Sequence, residues 1–212
     1  MEIELLYQDK DIVVCIKPVG LLSEKGGVPD ILSRQCGEKE IYTVHRLDRA
    51  VGGVMVYAKS SAAAARLSAA MGTGGFSKEY LAVVHGCPEA ESGTMQDLLF
   101  KDASKNKSYV VKRMRKGVKE ASLEYRLLEE KNNMSLVRIR LHTGRSHQIR
   151  VQFSSRKMPL VGDVKYGSSN KDCDIALFSA SLSFPHPKSG ELFSFSAPVP
   201  DAFPWNEFKE LC

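Results

Sequence analysis

The chain has 212 residues, 43% of them hydrophobic, and a formal net charge of +5. That is enough chain to bury a sizeable core in one large domain or two small ones, and no apolar run is long enough for a membrane span. Five scattered cysteines without C-x-x-C spacing exclude a disulfide framework and a zinc–thiolate site, and fit a reduced, cytoplasmic protein. The N-terminus "MEIELLYQDKDIVV" lacks a signal-peptide layout.

The first predicted element is a strand, Asp11–Lys17, stopped by Pro18 and Gly20. A glycine-bearing loop "LLSEKGGVPD" and a short helix around Ile31–Cys36 follow. Val54–Ala58 reads as a strand, with Val54, Val56 and Ala58 on one face. Ser60–Met71 reads as a helix, with serine at its N-cap, alanines inside and Gly72 at its end. Lys78–Gly86 is again a strand, and after Cys87 the chain is polar until Ser108.

Three runs, Ser108–Arg115, Ala121–Glu130 and Ser135–His142, are separated by turns at Gly117 and Asn132–Asn133 and predict an antiparallel meander. Thr143–Gly144 then opens a helix, "RSHQIRVQFSSRK", with Arg145 and His147 in its first turn. The tail offers "IALFSASLSF", a turn "PHPKSG" and "ELFSFSAP". The succession predicts an α+β fold, a large mixed but mostly antiparallel central sheet flanked by helices, with residues 1–212 forming a single domain.

Charge is unevenly placed. Lys101–Lys119 holds eight Lys/Arg against one Asp, and Arg138–Lys157 holds six Lys/Arg and no acid. Together they carry +13, so the rest of the chain sums to −8. Such segregation suits a polyanion, nucleic acid first, although two well-solvated faces would read the same way.

Chemistry concentrates in two places. In "VHRLDRAVGGVMVYAK" a carboxylate, Asp48, sits between Arg46 and Arg49 at the mouth of a strand. A carboxylate beside arginine stays ionised and can serve as nucleophile or base; a structural ion pair ahead of a strand would look the same. In "LHTGRSHQIR" the expected helix start places Arg145 and His147 at an anion-binding N-terminus, with Ile149 and Arg150 one turn on. Tyr80, in "SKEYLAVVHG", could stack on a base, or simply fill a sheet face. A metal site of His142, His147 and Asp163 lacks the usual histidine spacing.

Taken in order, "HRLDRAVGGVMVYAK", "KEYLAVVHG", "HTGRSHQIRVQF" and "PLVGDVKYG" resemble the RluA-type pseudouridine synthases. The opening "LLYQDKDIVVCIKPVGLL" and the closing "LSFPHPKSGELFSFSAPVP" are similar to that family's ends, so the resemblance spans nearly the whole chain. It implies an isomerase that breaks the C1′–N1 bond of uridine in RNA, turns the uracil and joins C5 to C1′, with neither cofactor nor metal. It further implies that Asp48 is the catalytic aspartate, Arg150 its ion-pair partner and Tyr80 the ring against the base. Ile149 would pack nearby, and Arg46 would enter the gap left by the flipped nucleotide, since a stacked uridine hides its C1′. Arg145 and His147 are expected to contact the RNA.

Three positions depart from the family pattern. Val51-Gly52-Gly53 stands where Thr-Ser-Gly is usual, Gln152 where His is usual, and Phe178-Ser179 where His-Ala is usual. The chain is expected to consist of the catalytic domain without the S4-like module of larger members, and its own basic faces are expected to supply affinity. The partner implied is an rRNA or tRNA stem-loop, with no obligate protein partner and a monomeric state. Two rivals belong to other classes: a catalytically inactive RNA-binding or chaperone paralogue, and a metal-dependent hydrolase of RNA.

Overall fold

The computed structural model describes residues 1–208; Cys212 lies outside them. In chain order the elements begin with β1 (Leu5–Gln8), β2 (Ile12–Lys17), α1 (Val28–Gln35), β3 (Tyr42–Thr43), β4 (Gly52–Ala58) and α2 (Ser61–Gly72). There follow β5 (Ser77–His85), β6 (Ser92–Asp102), β7 (Lys107–Val111), β8 (Val118–Lys131) and β9 (Met134–Leu141). The last are α3 (Gln148–Ser155), β10 (Leu177–Pro185) and β11 (Leu192–Ser196), with short 3-10 turns at Val164–Tyr166 and Trp205–Glu207. No helix among the described residues is long and apolar enough to cross a membrane.

The described residues divide into two compact units, one of residues 1–78 and 178–198, the other of residues 79–177 and 199–208. In the first unit β1, β2 and β4 pair antiparallel in that order, β3 adds to β4, and β10 runs parallel to β4 and antiparallel to β11. Both faces of β2 and β4 are buried: Ile12–Cys15 and Val54–Ala58 have no exposed surface. That is why these two read as nearly unbroken apolar runs rather than alternating ones. α2 packs on β4 through Ala63 and Leu67, and Ser60 caps it as expected, its Oγ accepting the Ala63 amide at 3.2 Å.

In the second unit β5, β9, β8, β6 and β7 form an antiparallel sheet in that order. Of the predicted meander only the β8–β9 pairing is present: β7 pairs with β6, a full strand in the stretch that reads as polar, and β6 lies between β7 and β8. Its apolar positions are sparse because Asp97, in mid-strand, takes hydrogen bonds from Gln152 at 2.7 Å and Arg156 at 2.8 Å. Met95 and Leu99 do the burying. α3 lies against β6 and β7, and Val151 joins Leu99, Ala121 and Tyr166 in a core cluster. The α+β class and the mixed, mostly antiparallel sheet agree with expectation.

α3 corrects one prediction. It begins at Gln148, not after Thr143–Gly144, so Arg145 and His147 precede the helix. The Gln148 side chain explains this. Its Oε1 accepts from the Arg145 amide (3.0 Å) and the Thr143 hydroxyl (2.8 Å), while its Nε2 donates to the Ser122 carbonyl (3.1 Å). That clamp holds the loop out of helical geometry, and His147 turns into α3 with a left-handed φ of 54°.

β4 opens with a glycine requirement. Gly53 has φ +121°, and a Cβ there would lie 2.5 Å from the Ser179 amide nitrogen of β10 and closer still to its carbonyl oxygen. Gly53→Ala combines backbone strain with overpacking, so it is expected to lose at least about 2–3 kcal/mol of unfolding free energy. Urea denaturation checks this, and wild-type stability would contradict the close approach of β10.

Candidate active site

The Asp48 loop is built from alternate anchoring. His45 and Leu47 are buried, whereas Arg46 is exposed and Asp48 half-buried, as an extended segment allows. His45 Nε2 accepts the Val56 amide at 3.2 Å, which leaves the proton on Nδ1, and its ring lies edge-on to Phe76. Burial, then the nearby Lys78 charge, holds its pKa well below the usual 6.5, so it is neutral and structural. Leu47 is gripped from both sides by Ser23, whose Oγ accepts the Leu47 amide at 3.0 Å and donates to the Leu47 carbonyl at 2.9 Å. Arg46 makes an exposed ion pair with Glu24 at 3.2 Å, a kind of pair worth little and easily exchanged.

The C-terminal side of the loop is held by Lys17, at the end of β2. This lysine has no exposed surface. Its Nζ donates to the carbonyls of Pro18 (2.8 Å), Val51 (2.8 Å) and Arg49 (3.3 Å), which uses all three ammonium donors. Burial lowers its pKa to about 8, while the negative charge of Asp48 acts in the opposite sense and favours the ammonium. The Arg49 carbonyl also accepts the Gly20 amide at 2.8 Å, and the Val51 amide donates back to the Asp48 carbonyl at 3.0 Å. Asp48 thus sits on a loop closed by a buried cation. The sequence reading missed Lys17, because a lysine before a proline looks like the solvated end of a strand.

Two of the departures from the family pattern meet here. A Cβ on Gly52 would lie 3.2 Å from the Lys17 carbonyl oxygen, 3.3 Å from a Val19 methyl and 3.5 Å from the Phe178 ring. The Lys17 carbonyl and the Val19 methyl are the tight contacts, while the ring at 178 stands at ordinary van der Waals distance. Ser179 adds a buried hydrogen bond from its Oγ to the Val54 carbonyl at 3.1 Å.

The second unit supplies the remaining candidates. Tyr80 is buried on β5 directly opposite Ile139, which in turn opposes Tyr125 of β8. Directly opposed residues share a face, and Tyr125 meets Phe153 of α3 edge-on at 5.9 Å. Tyr80 therefore points to the face that α3 covers. Ile149 is buried beside Arg150. Arg150 makes a bidentate pair with Asp163, Nε to Oδ2 at 2.6 Å and Nη2 to Oδ1 at 2.9 Å, and its guanidinium lies 5.1 Å from the Tyr166 ring centre. Arg145 donates from Nε to the Glu120 carbonyl at 2.8 Å. His147 Nδ1 meets the Tyr166 hydroxyl at 2.9 Å, and the same hydroxyl accepts the Ser108 amide at 2.8 Å.

Asp163 is the residue whose use the sequence concealed. It lies in "PLVGDVKYG", 13 positions beyond Arg150, and has no exposed surface. The metal reading of His142, His147 and Asp163 fails on partners. His142 pairs with Glu124 at 3.0 Å, His147 with Tyr166, and Asp163 with Arg150. Among the described residues the group with metal-like spacing is Asp9, Asp11 and His186. Within it Asp9 and His186 are bonded to each other and to backbone: Asp9 Oδ1 accepts the Asp11 and Ile12 amides, and Asp9 Oδ2 meets His186 Nε2 at 2.9 Å.

Comparison with known proteins fits this inventory. Residues 11–155 match the family described as RNA pseudouridylate synthase. A Bacillus subtilis protein described as an uncharacterized RNA pseudouridine synthase is 32% identical over 95% of this chain and 70% of its own length. A Vibrio vulnificus protein named ribosomal large subunit pseudouridine synthase D is 34% identical over 94% of this chain and 68% of its own. The solved structure of human RNA pseudouridylate synthase domain containing 4 superposes with a TM-score of 0.79 at 23% identity, covering 93% of this chain and 89% of that one. At that identity it bears on the fold.

The geometry makes two predictions. Above about pH 8 the folded chain releases the Lys17 proton, whereas the unfolded chain keeps it up to the ordinary 10.5. In that window the unfolded state binds more protons, so this group's contribution to stability rises with pH. The neutral amine, however, turns a lone pair toward a carbonyl and withdraws a positive charge that acts on Asp48. Turnover should therefore fall through about pH 8 in the wild type and show no such limb in Lys17→Met; a wild-type pH–rate profile flat across that range would contradict it. Separately, Asp163→Ala removes the bidentate partner of a buried guanidinium and should cost about 3–5 kcal/mol, read by denaturation. A loss well under that would mean that Arg150 is held by other contacts.

Proposed function

From the chain's membership of the RNA pseudouridylate synthase family, which makes it an isomerase converting uridine in RNA to pseudouridine, we infer that Asp48 is its catalytic carboxylate. The observation that carries this assignment is the construction around Asp48: a buried ammonium holds the Arg49 and Val51 carbonyls just after Asp48, spends its third donor on Pro18, and leaves its charge to the carboxylate. Arg150 is the partner proposed for Asp48, and Asp163, taking two of its five N–H donors, orients the guanidinium for that role. Tyr80 lies against the uracil, with Ile149 beside it. Arg46 exchanges Glu24 for RNA, a cheap exchange for an exposed pair. Arg145 and His147 contact the RNA strand near α3.

The reaction balances without a cofactor. The C1′–N1 bond breaks, the uracil turns, and C5 joins C1′. The proton on C5 leaves to solvent and N1 regains one. Asp48 acts at the sugar during the first step, and its carboxylate is returned at the end. The preferred substrate is ribosomal RNA, supported by relatives that carry the large ribosomal subunit in their names; transfer RNA is the second choice. The same relatives support placement in the cytoplasm. The chain works as a monomer, with both compact units serving one catalytic domain.

RNA labelled with tritium at C5 tests the reading. Each uridine converted must release one tritium to water, whereas binding, chaperoning or strand cleavage releases none. Wild type is expected to release it with EDTA present and nothing added. Asp48→Asn keeps the size and is expected to bind RNA while releasing none. Normal turnover by Asp48→Asn would remove the catalytic assignment, and no release by wild type from any cellular RNA pool would favour a binding protein.

A further inference from the structure

The second unit holds a concavity of about 200 Å³ ringed by Lys101, Lys119 and Arg145. Leu99 forms part of its wall and belongs to the core cluster under α3. Lys119 stands directly opposite Leu99, and Lys101 is two residues further along the same strand, so both lysines share the face that α3 covers. Arg145 comes from the loop before α3, tethered through its Nε to Glu120, which leaves both Nη groups to act. Backbone of Gly117 and Gly144 lines the remainder, and the Ser108 hydroxyl donates to the Ser146 carbonyl at 2.7 Å to tie β7 to that loop.

No carboxylate lines this cavity. Among the described residues, neither Lys101, Lys119 nor Arg145 has an acidic partner. Three like charges around one hollow repel one another and create a strong local positive potential. Elsewhere in the unit the fold neutralises its buried cation, as Asp163 does for Arg150. At about 30 Å³ for a water, the hollow has room for roughly six, enough for a phosphate with its ester oxygens. Two ammonium groups and a guanidinium suit such an anion as point charges and a planar fork.

We propose that this cavity receives a backbone phosphate of the RNA substrate, outside the nucleotide that is rearranged. The proposal rests on the pseudouridine synthase reading for the identity of the anion, and on the cavity for its place. It adds Lys101 and Lys119 to the substrate contacts.

The test measures RNA binding by the full chain across a KCl series for wild type, Lys101→Gln/Lys119→Gln and a charge-matched control, Lys10→Gln/Lys39→Gln, whose exposed lysines lie in the other unit. Loss of the cavity lysines should flatten the log–log salt slope by about one to two units, and the control should flatten it by less. Equal slopes in all three proteins, or equal losses in both variants, overturn the proposal. Orthophosphate titrated without RNA separates a free anion. If phosphate saturates wild type but not the cavity variant, while the RNA slopes agree, the cavity holds a free anion and the proposal fails. Tritium release by wild type is read on the same RNA. Release with unchanged slopes overturns the cavity alone. No release, with a slope lost only in the cavity variant, supports the cavity and overturns the catalytic reading.

Discussion

The first unit depends on one buried cation. Lys17 carries a charge to the end of β2, where burial penalises it enough to lower its pKa to about 8. The fold offsets that cost with three carbonyl acceptors, Pro18 from the turn after β2 and Arg49 and Val51 from the loop just after Asp48. An ordinary turn would satisfy those carbonyls with water or with backbone amides. Using an ammonium instead does two things at once. It fixes the loop by directional bonds, and it provides a positive charge that does not need to be drawn from solvent when the carboxylate reacts. The strand pair β2–β4, buried on both faces, makes that placement rigid.

The second unit repeats the logic with the signs reversed. Arg150 is the buried cation, and Asp163 is the carboxylate that keeps it in place by a bidentate pair. Buried pairs of this kind contribute little net stability, since desolvation consumes most of the attraction. What they supply is orientation, and the Tyr166 ring beneath the guanidinium restricts it further. Tyr166 is itself fixed by the Ser108 amide and by His147. The run from His147 to Arg150 is thus held by β7, by Gln148 and by the turn after Asp163.

Much of this was legible in the sequence, and the exceptions have physical causes. β2, β4, β5, β9 and α2 announce themselves because their apolar runs are long and their ends carry Pro, Gly or a capping Ser. The predicted strand Asp11–Lys17 and helix Ser60–Met71 differ from the observed ones by a single residue at one or both ends. β6 was hidden because its mid-strand carboxylate is neutralised by residues over 50 positions away. The start of α3 was misplaced because a side chain, Gln148, outcompetes helix formation in the preceding loop. Lys17 and Asp163 could not be recognised as site builders from local pattern, since Lys17 holds the Arg49 and Val51 carbonyls over 30 positions away and Asp163 holds Arg150 of α3, 13 positions back. The RluA-type resemblance, not periodicity, pointed to Asp48, Tyr80 and Arg150.

The central claim is that a buried ammonium positions the catalytic carboxylate. The most direct measurement is the single-turnover rate of uridine conversion by Lys17→Met at saturating RNA, with affinity measured in parallel. Misplacing a reacting group by about 1 Å can cost a factor on the order of 100. The account predicts a rate lower by about 10- to 100-fold with RNA affinity close to wild type. A rate equal to wild type, in a variant that folds, would show that Asp48 is positioned without Lys17.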